Sequence, residues 1–193
     1  MLLILAVLSV FTQCKKTVED LLGTQTGTVT FYNPTSTTVS ITVDGVAKTI
    51  PVGGSVKYTG KSNEVVTGNA TTSGTTSSGN ILGELITFTW TSLYYPSGGS
   101  NINYYLDIPS AYFFLKLKNV STKNVQKVYV NYGYANQSLA NILIPNDGLT
   151  YTVGYYLAFT NSNVRLESAS TFWFWSPLSL SFTNNQSITL TAN

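Results

Sequence analysis

The chain has 193 residues, a formal net charge of +2, and 9% charged residues against 13% aromatics. That is too much apolar material for a disordered tail, and too little positive charge, with no basic stripe, for nucleic-acid binding. With no histidine and one cysteine, it lacks the commonest general base and metal ligand, any Ser-His-Asp or Cys-His arrangement, zinc-thiolate sites and an intrachain disulfide.

Leu2 to Phe11 is an apolar run of about 10 residues, half the roughly 20 that a membrane-spanning helix needs. It matches the central region of a secretory signal. Cys14 closes the segment, and Lys15 and Lys16 follow at once. Phe11-Thr12-Gln13 lacks the small residues of an ordinary signal-peptidase site, so the cysteine points to the lipoprotein route. On the residues alone, the alternative is a buried N-terminal strand ending in a buried thiol. The segment resembles the signals of Bacteroidota lipoproteins, in which a Cys-Lys-Lys mature N-terminus is common. The resemblance implies a signal peptide over 1–13, lipid attachment at Cys14 and a tether over 14–26. It also implies an outer-membrane location, periplasmic or surface-facing. Glu19 and Asp20 are similar to the acidic export signal of surface-exposed lipoproteins in that phylum. An anchor of two or three acyl chains holds stably.

The body of the chain reads as a tandem. Phe31-Tyr32-Asn33-Pro34-Thr35-Ser36, Ile41-Thr42-Val43-Asp44-Gly45 and Ile50-Pro51-Val52-Gly53-Gly54 form one series. Leu117-Lys118-Asn119-Val120-Ser121-Thr122, Val128 to Gly133 and Ile144-Pro145-Asn146-Asp147-Gly148 form a second. Each series reaches an aromatic strand, Phe88-Thr89-Trp90 or Phe172 to Trp175, and closes on a short alternating run. A diverged duplication with a period of about 85 residues accounts for these anchors.

Strands are expected in the first copy near 27–33, 38–44, 46–51, 54–60, 63–69, 81–90 and 102–108. In the second they are expected near 111–119, 124–133, 139–145, 149–159, 163–169, 171–176 and 186–191. Val39, Ile41 and Val43 alternate with Ser40, Thr42 and Asp44, which puts one face in and one out. Asp44-Gly45 suits a two-residue hairpin turn. The expected fold is all-β: two tandem immunoglobulin-like β-sandwich domains, 27–109 and 110–193. Thr67 to Asn80 is nearly all small polar residues and reads as a mobile loop, with sugar attachment to its Thr and Ser as a compositional alternative. Ile108-Pro109-Ser110 reads as the domain junction.

Chemistry is approached by exclusion. The acidic residues of the folded region are Asp44, Glu64, Glu84, Asp107, Asp147 and Glu167. Asp44 and Asp147 precede glycines and read as turn formers. Glu84 and Asp107 read as polar positions on solvated strand faces. No catalytic residue, metal site or cofactor is expected.

Aromatic residues remain. Neighbours on a strand point to opposite faces, so doublets such as Tyr94-Tyr95, Tyr104-Tyr105 and Tyr155-Tyr156 cannot be wholly buried in a two-layer sandwich. They line a ligand surface, or they cover the domain junction or cap the sandwich ends. Tyr94 and Tyr95 are expected to be exposed. One of Trp173 and Trp175 is expected in the core with the intervening Phe174 facing out, or the reverse. The function expected is a lipid-anchored, non-catalytic binding protein of the envelope. It would serve as an accessory subunit of an outer-membrane complex or as a surface adhesin, with a protein partner, the membrane held through Cys14 and no nucleic acid. A glycan held by exposed Tyr and Trp is the alternative, and a structural spacer the third reading.

Overall fold

The computed structural model describes residues 25–77, 80–181 and 185–193. The expected signal peptide, Cys14 and nearly all of the tether lie outside the described residues. Two β-sandwich units follow one another. In the first, β1 (Thr26–Tyr32) is central. It pairs antiparallel with β4 (Ser55–Lys61) and parallel with β9 (Asn101–Tyr105). The facing sheet has the order β3 (Val46–Ile50), β2 (Val39–Val43), β5 (Gly68–Thr72), β8 (Thr87–Thr89). A small hairpin, β6 (Thr75–Ser77) with β7 (Asn80–Leu82), lies between β5 and β8 in the chain.

The second unit repeats this plan. Its central β10 (Tyr112–Asn119) pairs antiparallel with β13 (Thr150–Leu157) and parallel with β16 (Ser187–Ala192). The facing sheet runs β12 (Ser138–Ile144), β11 (Val125–Val130), β14 (Val164–Glu167), β15 (Phe172–Trp175). Strand for strand the two orders are the same, as expected of a duplicated chain.

Alternation builds both sandwiches. Val39, Ile41 and Val43 are buried, while Ser40 and Thr42 are exposed. Asp44 and Gly45 both take positive φ, 48° and 78°, the turn geometry that matches the twist of a tight hairpin. In the first core Phe31 is fully buried, with the rings of Trp90, Tyr104 and Tyr58 at 4.9, 5.5 and 6.0 Å. The second core gathers Phe113, Leu115, Val128, Val130, Val164, Leu166 and Tyr156. Each such side chain contributes about 1.5–3 kcal/mol by leaving water.

A buried asparagine locks the end of the first strand in each unit. Asn33 Nδ2 donates to the carbonyls of Thr37, Ile50 and Pro51, and its Oδ1 accepts from the Thr35 amide. Asn119 Nδ2 donates to the carbonyls of Lys123 and Ile144, and its Oδ1 accepts from the Ser121 amide and hydroxyl. The same side chain thus ties a turn to the end of the third strand twice over.

The units meet across a third apolar cluster, Ile86, Ile108, Phe114 and Tyr155. The Ser36 amide donates to the Tyr155 phenol oxygen at 2.6 Å, and the Glu84 amide to the Tyr155 carbonyl at 2.8 Å. Gly154 makes this approach possible. A Cβ there would stand 2.8 Å from the Leu82 carbonyl oxygen and 2.9 Å from Gly83 Cα.

Several expectations change in the first unit. The segment 67–80 contains β5, β6 and the first residue of β7, and the β6–β7 hairpin lies against β12 and β13 of the second unit. Its β-branched threonines favour extended backbone, so small polar composition did not mean a loop. The strand expected at 63–69 forms instead at Gly68–Thr72, and the one at 81–90 splits into β7 and β8. Glu84 is in the connection between them, where its carboxylate accepts the Leu157 amide across the junction at 3.3 Å. Both Tyr155 and Tyr156 are buried. One faces its own core, and the other is covered by the neighbouring unit.

Candidate binding surface

The outward face of the β12–β11–β14–β15 sheet follows directly from alternation. Val128, Val130, Val164 and Leu166 point into the core, so Lys127, Tyr129, Arg165 and Glu167 point out. On β15, Trp173 and Trp175 pack half-buried against the core while Phe172 and Phe174 are exposed, 59% and 49%. The register pairs Leu139 with Tyr129, Tyr129 with Arg165, and Arg165 with Phe174. These four residues form one row across all four strands. Lys127, Glu167 and Phe172 continue the next row.

Arg165 organises the surface. Its guanidinium lies 4.6 Å from the centroids of both the Tyr132 and Phe172 rings, an arrangement in which the ring faces attract the cation. It also forms a 2.8 Å ion pair with Glu167, whose other oxygen accepts from the Tyr129 hydroxyl at 3.2 Å. Tyr132 stands edge-on to Tyr129 at 5.4 Å and to Phe174 at 6.5 Å. The rings are therefore held in place before any partner arrives, which lowers the ordering cost of binding. Arg165 is the chain's single arginine. Its place on an alternating strand beside an aromatic one was the available sequence signal for this cluster, whereas Tyr129, Tyr132, Phe172 and Leu139 were missed.

The residues singled out from sequence fall in separate places. Cys14 lies outside the described residues. Tyr94 is exposed at 49%, and Phe174 belongs to the row just described. Trp173 donates its indole N–H to the Asn193 carbonyl at 2.8 Å, and Trp175 lines a shallow groove with Pro177, Leu178 and Ile188.

Tyr95, expected to be exposed, is 3% exposed. Its ring lies where a Cβ of Gly60 would stand, 2.2 Å from the nearest ring carbon, and its hydroxyl donates to the Asp44 carboxylate. Burial penalises the charge of Asp44, but the hydrogen bonds from Tyr95 and from the Thr67 hydroxyl and amide outweigh it and hold the carboxyl below its usual 3.8. Burial, with Asp44 next, pushes the Tyr95 phenol up from its usual 10.0. A depressed carboxyl contributes stability above the unfolded-state pKa and loses it as pH falls through the folded one. The urea midpoint should therefore drop in acid below pH 3.8, and Tyr95→Phe should flatten that drop. An unchanged acid limb in the variant would show that the pair carries no linkage.

Among the described residues no group of three or more His, Cys, Asp or Glu comes together as a metal site would. What the surface offers is rigid aromatic area with one neutralised cation at its centre.

Comparison with known proteins adds no family: no family description matches the chain, and no curated protein matches it. Among solved structures it is similar to the Bacillus anthracis TIE protein, at 9% identity and a TM-score of 0.26, over 87% of this chain and 33% of that one. The chain thus spans about a third of the length of that structure.

Proposed function

We propose that this chain is a non-catalytic binding protein, held at the outer membrane of a bacterial envelope by lipid on Cys14. In this reading the row Leu139–Tyr129–Arg165–Phe174 receives a protein partner, such as a subunit of an envelope complex. The two units are immunoglobulin-like in architecture, a reading supported by seven strands in sheets of three and four. The observation that carries the binding role is the ring-flanked Arg165. Aromatic residues and arginine are the side chains enriched where interfaces concentrate their energy, and here both are fixed in place on a sheet. The apolar run ending at Cys14 supports the anchor.

The test is capture of tagged, lipidated protein from membranes extracted in mild detergent. Phe174→Ala should weaken capture of a stoichiometric protein partner by at least about tenfold, the scale of a central aromatic contact, while Tyr94→Ala leaves it unchanged. Recovery of the protein monomeric and alone would argue against the partner. Cys14→Ser should move the protein to the soluble fraction, and a variant that stayed with the membrane would overturn the anchor.

A further inference from the structure

We infer that the cleft between the β11–β12 and β13–β14 loops is a binding site for one neutral pyranose ring of a glycan. Tyr134 and Asn136 line it from the first loop, and Phe159, Thr160 and Asn161 from the second. None of these was singled out from sequence, and none belongs to the aromatic row. The proposal therefore stands apart from the protein-partner reading.

Three observations converge on this ligand. The first is chemistry. Tyr134 and Phe159, one from each loop, are exposed at 48% and 40%, so an aromatic residue from each loop is available to a ligand. A pyranose ring has a face of C–H groups that packs on an aromatic ring and a rim of hydroxyls that needs donors and acceptors. Two amides and a hydroxyl meet that need, since an amide both donates and accepts. Within the chain, no hydrogen bond among the described residues engages the side chains of Asn136, Thr160 or Asn161. The second is charge. All five lining residues are uncharged, so nothing here favours an anionic or cationic ligand. The third is size. The cleft holds 280 Å³, at or below the lower end of the roughly 300–1,000 Å³ typical of sites for drug-sized molecules. That accommodates a single ring.

The loops are ordered before any ligand binds. The Phe159 amide donates to the buried Ser162 hydroxyl at 2.7 Å, and the Ser162 amide returns to the Phe159 carbonyl at 3.0 Å. In the other loop the Tyr134 amide donates to the Asn131 carbonyl at 3.1 Å, and the Gly133 amide to Gln137 Oε1 at 3.0 Å. Asn131 Nδ2 then reaches the Leu157 carbonyl at 3.2 Å, which ties one loop root to the other. The two loops thus keep their arrangement without a ligand, and little backbone ordering remains to be done on binding.

The test uses the full chain in a non-glycosidic detergent. It is titrated with the methyl glycosides of glucose, galactose, mannose and N-acetylglucosamine and followed by calorimetry and amide NMR. At least one should bind saturably in the millimolar range and shift the side-chain amide signals of Asn136 and Asn161. Tyr134→Ala and Phe159→Ala should each weaken binding about tenfold, the scale of an aromatic contact, and Asn161→Ala should weaken it as well. Phe174→Ala should leave it unchanged, which separates this site from the partner surface. Saturable binding by none of the four, shifts that map elsewhere, or affinity indifferent to Tyr134→Ala would each overturn the assignment.

Discussion

Asn119→Ala is expected to destabilise the second sandwich by about 2–4 kcal/mol, since each buried polar group left unpaired costs about 1–3 kcal/mol. The side chain is 1% exposed. It donates to the Lys123 carbonyl at 2.8 Å and the Ile144 carbonyl at 3.1 Å, and accepts from the Ser121 amide at 3.1 Å. Alanine leaves the buried Ile144 carbonyl without this donor, in a place water does not reach. Asn119→Asp keeps the shape but turns an acceptor toward the two carbonyl oxygens that Nδ2 now serves, so it should cost at least as much. Ser121→Ala removes only the hydroxyl, whose loss should cost about 1 kcal/mol. Asn33→Ala should act on the first unit in the same way. Tryptophan fluorescence in urea reads the loss in both variants, because Trp90 reports from the first unit and Trp173 and Trp175 from the second. A loss well under 1 kcal/mol for Asn119→Ala would mean that the asparagine only decorates the turn.

Tyr155→Ala is expected to cost about 3–5 kcal/mol, the range for deleting a large buried ring, and to divide one unfolding transition into two. The side chain is 2% exposed, although it lies on the outside of its own sandwich. It packs 4.7 Å from the Phe114 ring and takes a hydrogen bond from the Ser36 amide of the first unit. Two domains unfold together only when their interface is strong enough to couple them. Tyr155→Phe keeps the packing and loses only the hydrogen bond, so it should cost about 1 kcal/mol and preserve the single transition. Scanning calorimetry reads both outcomes, through the ratio of van't Hoff to calorimetric enthalpy. Two transitions in the unmodified chain would show that the cluster does not couple the units.

The contrast between the two copies shows what local pattern can reveal. In the second copy, strongly apolar alternation such as Val128 and Val130 against Lys127 and Tyr129 places each strand within a few residues of its observed position. In the first, the stretch from Ser62 to Ile86 is rich in Thr, Ser, Gly and Asn, and its strands are set by partners rather than by its own period. Gly68 joins β5 because it pairs with Val43, and the β6–β7 hairpin finds its place against another unit. Tyr95 was misplaced for the same reason. Its burial depends on Gly60 and Asp44, both distant in sequence. The doublet argument held that Tyr155 and Tyr156 need two different faces. What alternation lacks is any sign that a second domain covers the outer one. The row around Arg165 was half legible: the alternation of β11 and β14 turns it outward, but its two ring neighbours come from a loop and an edge strand.

The parallel pairing of first and last strands in each unit bears on how the molecule carries load. β1 lies beside β9 over five residue pairs, and β10 beside β16 over six. Parallel neighbours run the same way, so the start of the first strand and the end of the last lie at opposite poles of each sandwich. A pull between the start of the first strand and the end of the last would then run along the strands. Such a force must shear a whole ladder of hydrogen bonds at once, whereas an antiparallel hairpin gripped at its open end unzips one pair at a time. Under tension, the rate of forced unfolding is what counts, and a pull along the strands loads each ladder in shear rather than pair by pair.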